Sequence, residues 1–293
     1  MADEIVGALE LGGTHLVAGR VSIAARAVEG DTVGMFLFSI TERDELVDAI
    51  RRVAVAAATT GVGRWGVATP GPFDYERGIC TIRGVAKLEA LYGVDIRTEL
   101  SAALGIEPQG IRFLNDAAAF LLGEWWTGAA RGHDAAIGIT LGTGLGSGFL
   151  RDGRLRQDGP GVPPESRLDL LAFRGAPVEE VISRRGLLAA YRRAGSDADD
   201  VIDIAQRARA GEATAIETFR AFGTSLGEFL SPAVEAFAPS CLVLGGAISR
   251  SWPLFADAFR AACPPLTRVR SVGVARHLDH AALLGAALYA TRS

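Results

Sequence analysis

"GALELGGTHLVAGRVS" (residues 7–22) sets a Gly-Gly-Thr between two apolar stretches. The flanks read as two strands, residues 4–10 and 16–21, with Gly12, Gly13 and Thr14 as the turn that joins them. A dinucleotide fold or a P-loop places a helix directly after its glycines, so a strand running out of the turn points to a different device. Backbone N–H groups that no Cβ shields form a concave set able to hold phosphate oxygens, and the Thr14 hydroxyl adds a donor. Glu10 closes the first strand. A carboxylate there repels phosphate unless a cation stands between, which suggests Mg²⁺ held through water. The plainer reading of Glu10 is an exposed charge at a strand end.

The pattern restarts at "AAIGITLGTGLGSGFLRDGRL" (residues 135–155): strand, Gly142-Thr143-Gly144, strand, then an Asp152-Gly153 hairpin signal. "LGTGLGSG" resembles a dinucleotide fingerprint in its letters, but strand and turn follow it where a helix is required. The chain therefore reads as a loose internal duplication. Two α/β domains, residues 1–116 and 117–293, each open on a glycine hairpin facing a shared cleft. A third pair, Gly245-Gly246, follows the apolar "CLVL", where a flat ring and ribose can lie on bare backbone. Any one of these turns is equally well a plain β-turn; three together favour a nucleotide.

Elsewhere the periodicity is simpler. Leu46, Ile50, Val53 and Ala57 recur at helical spacing, closed by Gly61; "RWGVATPGP" is a strand ended by a turn; Tyr75 to Leu104 is weakly patterned. "GIRFLNDAAAFLLGEWWTG" is strand, polar break and helix, with Asn115 and Asp116 at the junction. Asp116 is the best general-base candidate for activating a hydroxyl, and Asn115 offers an amide to a hydroxyl-rich ligand; the alternative for Asp116 is an ordinary helix N-cap. Residues 156–178 read as loop, "VEEVISRRGLLAAYRRAG" as one helix, and a later long helix as broken or kinked at Pro232. The Ala-rich tail forms a last helix, 278–291, expected to pack back on the first domain. Trp125 and Trp126 read as core or interface, and His15 as a residue flanking the turn.

Composition narrows the function. The 293 residues carry a net charge of −4 with both signs mixed, which gives no electrostatic footprint for nucleic acid. No apolar run is long enough to cross a membrane and the first residues are acidic, so a cytoplasmic location is expected. Three scattered cysteines, Cys80, Cys241 and Cys263, have no metal-ligand spacing.

The ordered set "ELGGTHLVAGRV", "GVATPGPFD", "FLNDAAAFLLGE", "ITLGTGLGSGFLRDGRL", "VEEVISRRGLLAAY" and "FAPSCLVLGGAIS" resembles the ROK family of bacterial sugar kinases and repressors over nearly the whole chain. The resemblance implies two actin-like, ribonuclease H-like ATPase domains with a nucleotide cleft between them. It implies ATP and Mg²⁺ as cofactors, a sugar or polyol acceptor, and a homodimer. Gly12, Gly13 and Thr14 match the first phosphate turn, Gly142, Thr143 and Gly144 the second, and Gly245 and Gly246 the adenosine turn. Asp116 matches the catalytic base and Asn115 its sugar-contacting neighbour. Glu10 stands where most members have Asp, although the fructokinase-like branch also has Glu there. Glu179, four residues ahead of Ser183, matches a sugar-binding glutamate.

The departures concern the acceptor. Family glucokinases carry a Gly-Glu-x-Gly-His stretch and then a cysteine-rich zinc site. Here Glu165 is the partner of that glutamate, but Ser166, Arg167 and Leu168 follow with no histidine, and the chain has no cysteine between Cys80 and Cys241, so no structural zinc is expected. Gly84, Val85, Ala86 and Lys87 stand where an asparagine reaching the sugar is common. Losing those partners at about 1–3 kcal/mol per unpaired hydroxyl implies either a different acceptor or a sensor that binds without phosphorylating. The repressor branch adds an N-terminal DNA-binding helix, which a first strand starting by Ile5 does not accommodate.

Overall fold

The glycine hairpin forms as read. In the computed structural model, which describes residues 3–37, 40–83 and 88–292, β1 (Ile5–Leu11) and β2 (His15–Ser22) pair antiparallel from Ile5↔Ser22 to Leu11↔Leu16. β3 (Ala27–Phe36) then pairs with β2. Its residues are mostly exposed and show no apolar alternation, so nothing in the sequence marked it. α1 (Arg43–Ala57) buries Leu46, Ile50, Val53 and Ala57 and carries Asp44 and Glu45 in its first turn, where the helix dipole favours acids. β4 (Trp65–Thr69) follows, then a small hairpin of β5 (Phe73–Asp74) and β6 (Ile79–Cys80). α2 (Ile96–Leu104), β7 (Ile111–Asn115) and α3 (Asp116–Thr127) complete the run.

The second half repeats this plan. β8 (Ala135–Leu141) and β9 (Leu145–Arg151) make the second glycine hairpin. β10 (Arg154–Leu155) pairs with β9 through a turn whose Asp152 and Gly153 both take positive φ. β11 (Ala172–Phe173) and β12 (Ala176–Pro177) form a short hairpin within the loop segment. α4 spans Arg184–Arg193, six residues later than "VEEVIS" suggested: Val178–Glu180 is a separate 3-10 turn, and the Ser183 hydroxyl starts the helix by accepting the Gly186 N–H at 3.2 Å. α5 (Val201–Arg209) and α6 (Ala213–Phe237) follow. α6 runs through Pro232 without interruption. Pro232 and Glu228, whose carbonyl loses its helical partner, are both on the exposed side, so water can satisfy that oxygen. β13 (Cys241–Gly245) leads into a 3-10 helix, Ala247–Leu254; α7 (Ala256–Ala262) and β14 (Ser271–Val274) follow, and α8 (Ala281–Thr291) ends the chain.

Two five-stranded sheets result, ordered β3-β2-β1-β4-β7 and β10-β9-β8-β13-β14. In each, the first hairpin is antiparallel and two further strands add in parallel. Identical order in the two sheets is the structural form of the duplication. The chain divides into two compact units, one of residues up to Gly128 together with those from Asp279 onward, the other of Ala129–Leu278.

The first unit's sheet is covered on one face by a core that includes Leu9, Leu11, Leu16, Ile50 and Val67. Its other face packs Val6, Ala8 and Val21 against Trp126, Leu283, Leu284 and Ala287 from α3 and α8. Three glycines allow α8 to approach so closely. A Cβ on Gly123, Gly285 or Gly66 would fall inside 3.0 Å of the carbonyl oxygen of Ala281, Ala119 or Ala286 respectively. In the second unit a core joins Ile137, Ile139 and Phe149 of the sheet to Phe219, Leu226 and Phe259 of the helices. No helix among the described residues is long and apolar enough to cross a membrane.

Candidate functional site

In the first unit the parallel strands β1, β4 and β7 end together. Register pairs Glu10 with Ala68 and Thr69 with Asn115, so Glu10, the 12–14 turn and the Asn115-Asp116 junction lie at one carboxyl edge of the sheet. In open α/β sheets this is the edge where ligands bind. The turn closes with the Gly12 N–H donating to the His15 carbonyl at 2.9 Å. Gly12 is buried, Gly13 is exposed with nothing where a Cβ would project, and Thr14 is half-buried.

His15 lies across this turn. Its Nε2 is 3.6 Å from Glu10 Oε1 and its Nδ1 is 3.4 Å from Thr14 Oγ1. The adjacent Glu10 carboxylate raises the imidazole pKa above its ordinary value; Asp116 adds a smaller pull in the same direction and burial opposes both. Two carboxylates thus act on one ring, which ties Asp116 electrostatically to the turn. A histidine with a raised native pKa contributes stability while it is protonated, and that contribution fades as pH rises through the raised value. The stability gap between wild type and His15→Ala is accordingly expected to be widest at acidic pH and to close toward alkaline pH, as read by urea denaturation across pH.

At the start of α3 the structure corrects the capping alternative for Asp116. Asn115 is the N-cap: its Oδ1 accepts the N–H groups of Ala117 at 3.0 Å and Ala118 at 3.1 Å. Asp116 is the first helical residue, half-buried, with Oδ1 2.9 Å from the Ala117 N–H. With its oxygen committed to the cap, Asn115 has only Nδ2 to offer a ligand, and that atom is 3.4 Å from the Tyr75 hydroxyl. Tyr75 donates in turn to the Thr69 carbonyl at 3.2 Å. Tyr75 stands in no periodic or motif context in the sequence, so its role in bracing Asn115 had no signal.

The second unit arranges the corresponding pieces. The Gly142 N–H donates to the Gly144 carbonyl at 3.0 Å, and the Arg184 N–H at the start of α4 donates to the Gly142 carbonyl at 2.8 Å. Thr143 is exposed at the turn's tip. Glu179 lies against this turn, its Oε1 accepting the Leu145 N–H at 2.8 Å, with Arg185 3.7 Å from its Oε2. Gly245 pairs with Thr140, and Gly246, at φ 79°, fits against the backbone of Leu141 where a Cβ would collide. The glycine pair and the second turn therefore share one edge of this sheet.

A Cβ on Gly144 would fall inside 3.0 Å of Glu179 Oε1, the mobile end of a side chain. Gly144→Ala should therefore cost little more than the Glu179 hydrogen bond, about 1 kcal/mol in stability. Thermal melts of the variant and wild type check the effect.

The acceptor segment is set apart by its backbone. Glu165 is exposed with φ 57°, and Ser166 follows at φ 59°. Leu168, where the family histidine is expected, is buried in the second unit's core and cannot reach a ligand. Gly84, Val85, Ala86 and Lys87, the other altered acceptor stretch, lie outside the described residues. Cys80, Cys241 and Cys263 are buried and form no disulfide, and no group of three or more His, Cys, Asp or Glu side chains is arranged for a metal among the described residues.

Two α/β units with one strand order, each carrying a glycine hairpin at the carboxyl edge of its parallel strands, define a duplicated fold of the sugar-kinase and actin type. The chain belongs to the ROK family, whose description matches residues 6–293. It is 31% identical over 275 residues to the glucokinase of Thermotoga maritima, covering 83% of this chain and 82% of that protein. To the N-acetyl-D-glucosamine kinase of Pectobacterium carotovorum subsp. carotovorum it is 29% identical over 271 residues, covering 85% and 87%. The ROK hexokinase of Thermus thermophilus superposes with a TM-score of 0.77 at 25% identity over 97% of both chains. The Streptomyces griseus ROK glucokinase solved with glucose and AMPPNP gives 0.75 at 25% identity over 97% of this chain and 98% of that one.

Proposed function

We infer that the protein is an ATP-dependent sugar kinase in which Asp116 removes the proton from an acceptor hydroxyl as that oxygen attacks the γ-phosphorus of ATP. The bond between the γ-phosphorus and its bridging oxygen breaks, ADP leaves, and the proton passes to an Asp116 carboxylate oxygen. The observation that carries this reading is the grouping of Asp116, Glu10 and the glycine turn at one carboxyl edge of the first sheet.

In this reading the 12–14 and 142–144 turns bind phosphates of the nucleotide, and Gly245 and Gly246 lie under its adenosine. Glu10 fits a hard cation: it is a strand-end carboxylate, only 21% exposed, beside a turn suited to phosphate. Mg²⁺ held there through water would neutralise phosphate charge. Asn115 Nδ2 donates to the acceptor, while Glu165 and Glu179 accept from its hydroxyls. The relatives act by name on glucose and N-acetyl-D-glucosamine, which makes a hexose or N-acetylhexosamine the acceptor class to test first. A cytoplasmic homodimer is part of the same proposal.

The buried Leu168 in place of an imidazole favours one second reading, a sensor that binds nucleotide or sugar without turnover. Coupled ADP-release assays across hexoses, N-acetylhexosamines, pentoses and polyols separate the two. Acceptor-dependent ADP release supports the kinase, and silence from a protein that binds ATP supports the sensor.

A further inference from the structure

β9 begins where the second glycine turn ends, and its hydrogen bonds run to Glu179 and to residues that closely follow Glu165, the two candidate acceptor glutamates. At its first residue the Leu145 N–H holds Glu179. At its third, the Ser147 hydroxyl donates to the Ser166 carbonyl and accepts the Leu168 N–H at 3.0 Å. The Ser166 hydroxyl donates to the Arg156 carbonyl. Ser147 is 5% exposed and Ser166 6%, so these bonds are made away from water, where leaving one unmade is costly.

The backbone they hold is unusual. Glu165 and Ser166 are consecutive non-glycine residues in the left-handed region, a conformation tolerated singly and sustained only when the surroundings over-determine it. Leu168 anchors the next turn in the core. Arg167 is gripped by both oxygens of Asp169, which cancels its charge beside Glu165. Further along, Phe173 packs edge-on against Phe229 at 5.6 Å and Arg174 pairs with Glu228 at 2.6 Å, fastening the β11–β12 hairpin to α6.

We propose that Ser147 and Ser166 are positioning residues that fix Glu165 relative to the second phosphate turn, so that β9 carries donor turn and acceptor loop as one rigid piece. The inference rests on the kinase reading and on Glu165 as an acceptor contact.

A double-mutant cycle tests it, with glucose and N-acetyl-D-glucosamine as the first acceptor probes. Ser147→Ala and Glu165→Gln are each expected to raise the acceptor KM about tenfold and leave the ATP KM within about twofold, and the double variant to be no worse than the worse single one. Ser166→Gly relieves the left-handed backbone while deleting the hydroxyl, so it should raise the acceptor KM without lowering Tm. A structural role would instead lower Tm and shift both KM values together. The proposal is overturned if wild type turns over while Ser147→Ala keeps the wild-type acceptor KM, or if the Ser147 and Glu165 effects multiply. Absence of acceptor-dependent turnover in wild type itself overturns the kinase reading first and this inference with it, so the two failures are told apart by the wild type alone.

Discussion

Asp116→Asn is expected to lower acceptor-dependent turnover by about 10²–10⁴-fold, the usual range for deleting a general base. The substitution is isosteric, and Asn115, not Asp116, caps α3, so the fold has no reason to change. The short bond from the Ala117 N–H to the side-chain oxygen at 116 can be kept by the amide. Affinity for ATP should stay near wild type, because the phosphate turns are untouched. Replacing Asn115 with Ala gives the contrasting result: the cap is lost at a cost of about 1 kcal/mol, together with the amide donor. Kinetics joined to nucleotide binding and melting curves separate loss of a proton acceptor from loss of structure.

Gly285→Ala carries the largest expected effect on stability. The added Cβ meets the Ala119 carbonyl oxygen inside 3.0 Å and lies close to the Gly123 N–H as well, and both are helix backbone that cannot swing aside. Only separation of α8 from α3 relieves the clash, which also opens the packing of Leu283, Leu284 and Ala287 against Val6 and Ala8. Overpacking of this kind costs about 3 kcal/mol, at the upper end of its usual range. Gly13→Ala, where a Cβ meets nothing, is the control expected to leave Tm almost unchanged. Differential scanning calorimetry of the two variants reads the difference directly.

The elements legible in the sequence were those whose pattern has a local cause. Both glycine hairpins, the Asp152-Gly153 turn and the strand-to-helix junction at Asn115 stand where spacing and turn chemistry put them. β3 escaped because an exposed edge strand has no buried face to impose alternation. The helical pattern over 178–195 outruns α4 because "VEEVIS" continues the apolar period up to Ser183, and only the cap geometry divides it. At the site, Asp116 was legible as an acid at a strand end, while its relation to the cap was not, since Asn and Asp cap equally well and sequence cannot rank neighbours. His15 reads as a flanking residue until Glu10 and Asp116 are both seen to act on it. Ser147 and Ser166 gave no signal at all, because their bonds are non-local and join residues 10 to 21 positions apart.

The central claim is that a phosphoryl group moves from ATP to a sugar hydroxyl under the control of Asp116. ³¹P NMR of wild-type protein with ATP, Mg²⁺ and each hexose or N-acetylhexosamine in turn follows that transfer atom by atom. The account predicts a new sugar phosphomonoester resonance that grows in step with ADP for at least one acceptor and does not appear with Asp116→Asn. An unchanged ATP spectrum with every acceptor, inorganic phosphate as the sole product, or equal phosphomonoester formation by Asp116→Asn would contradict it.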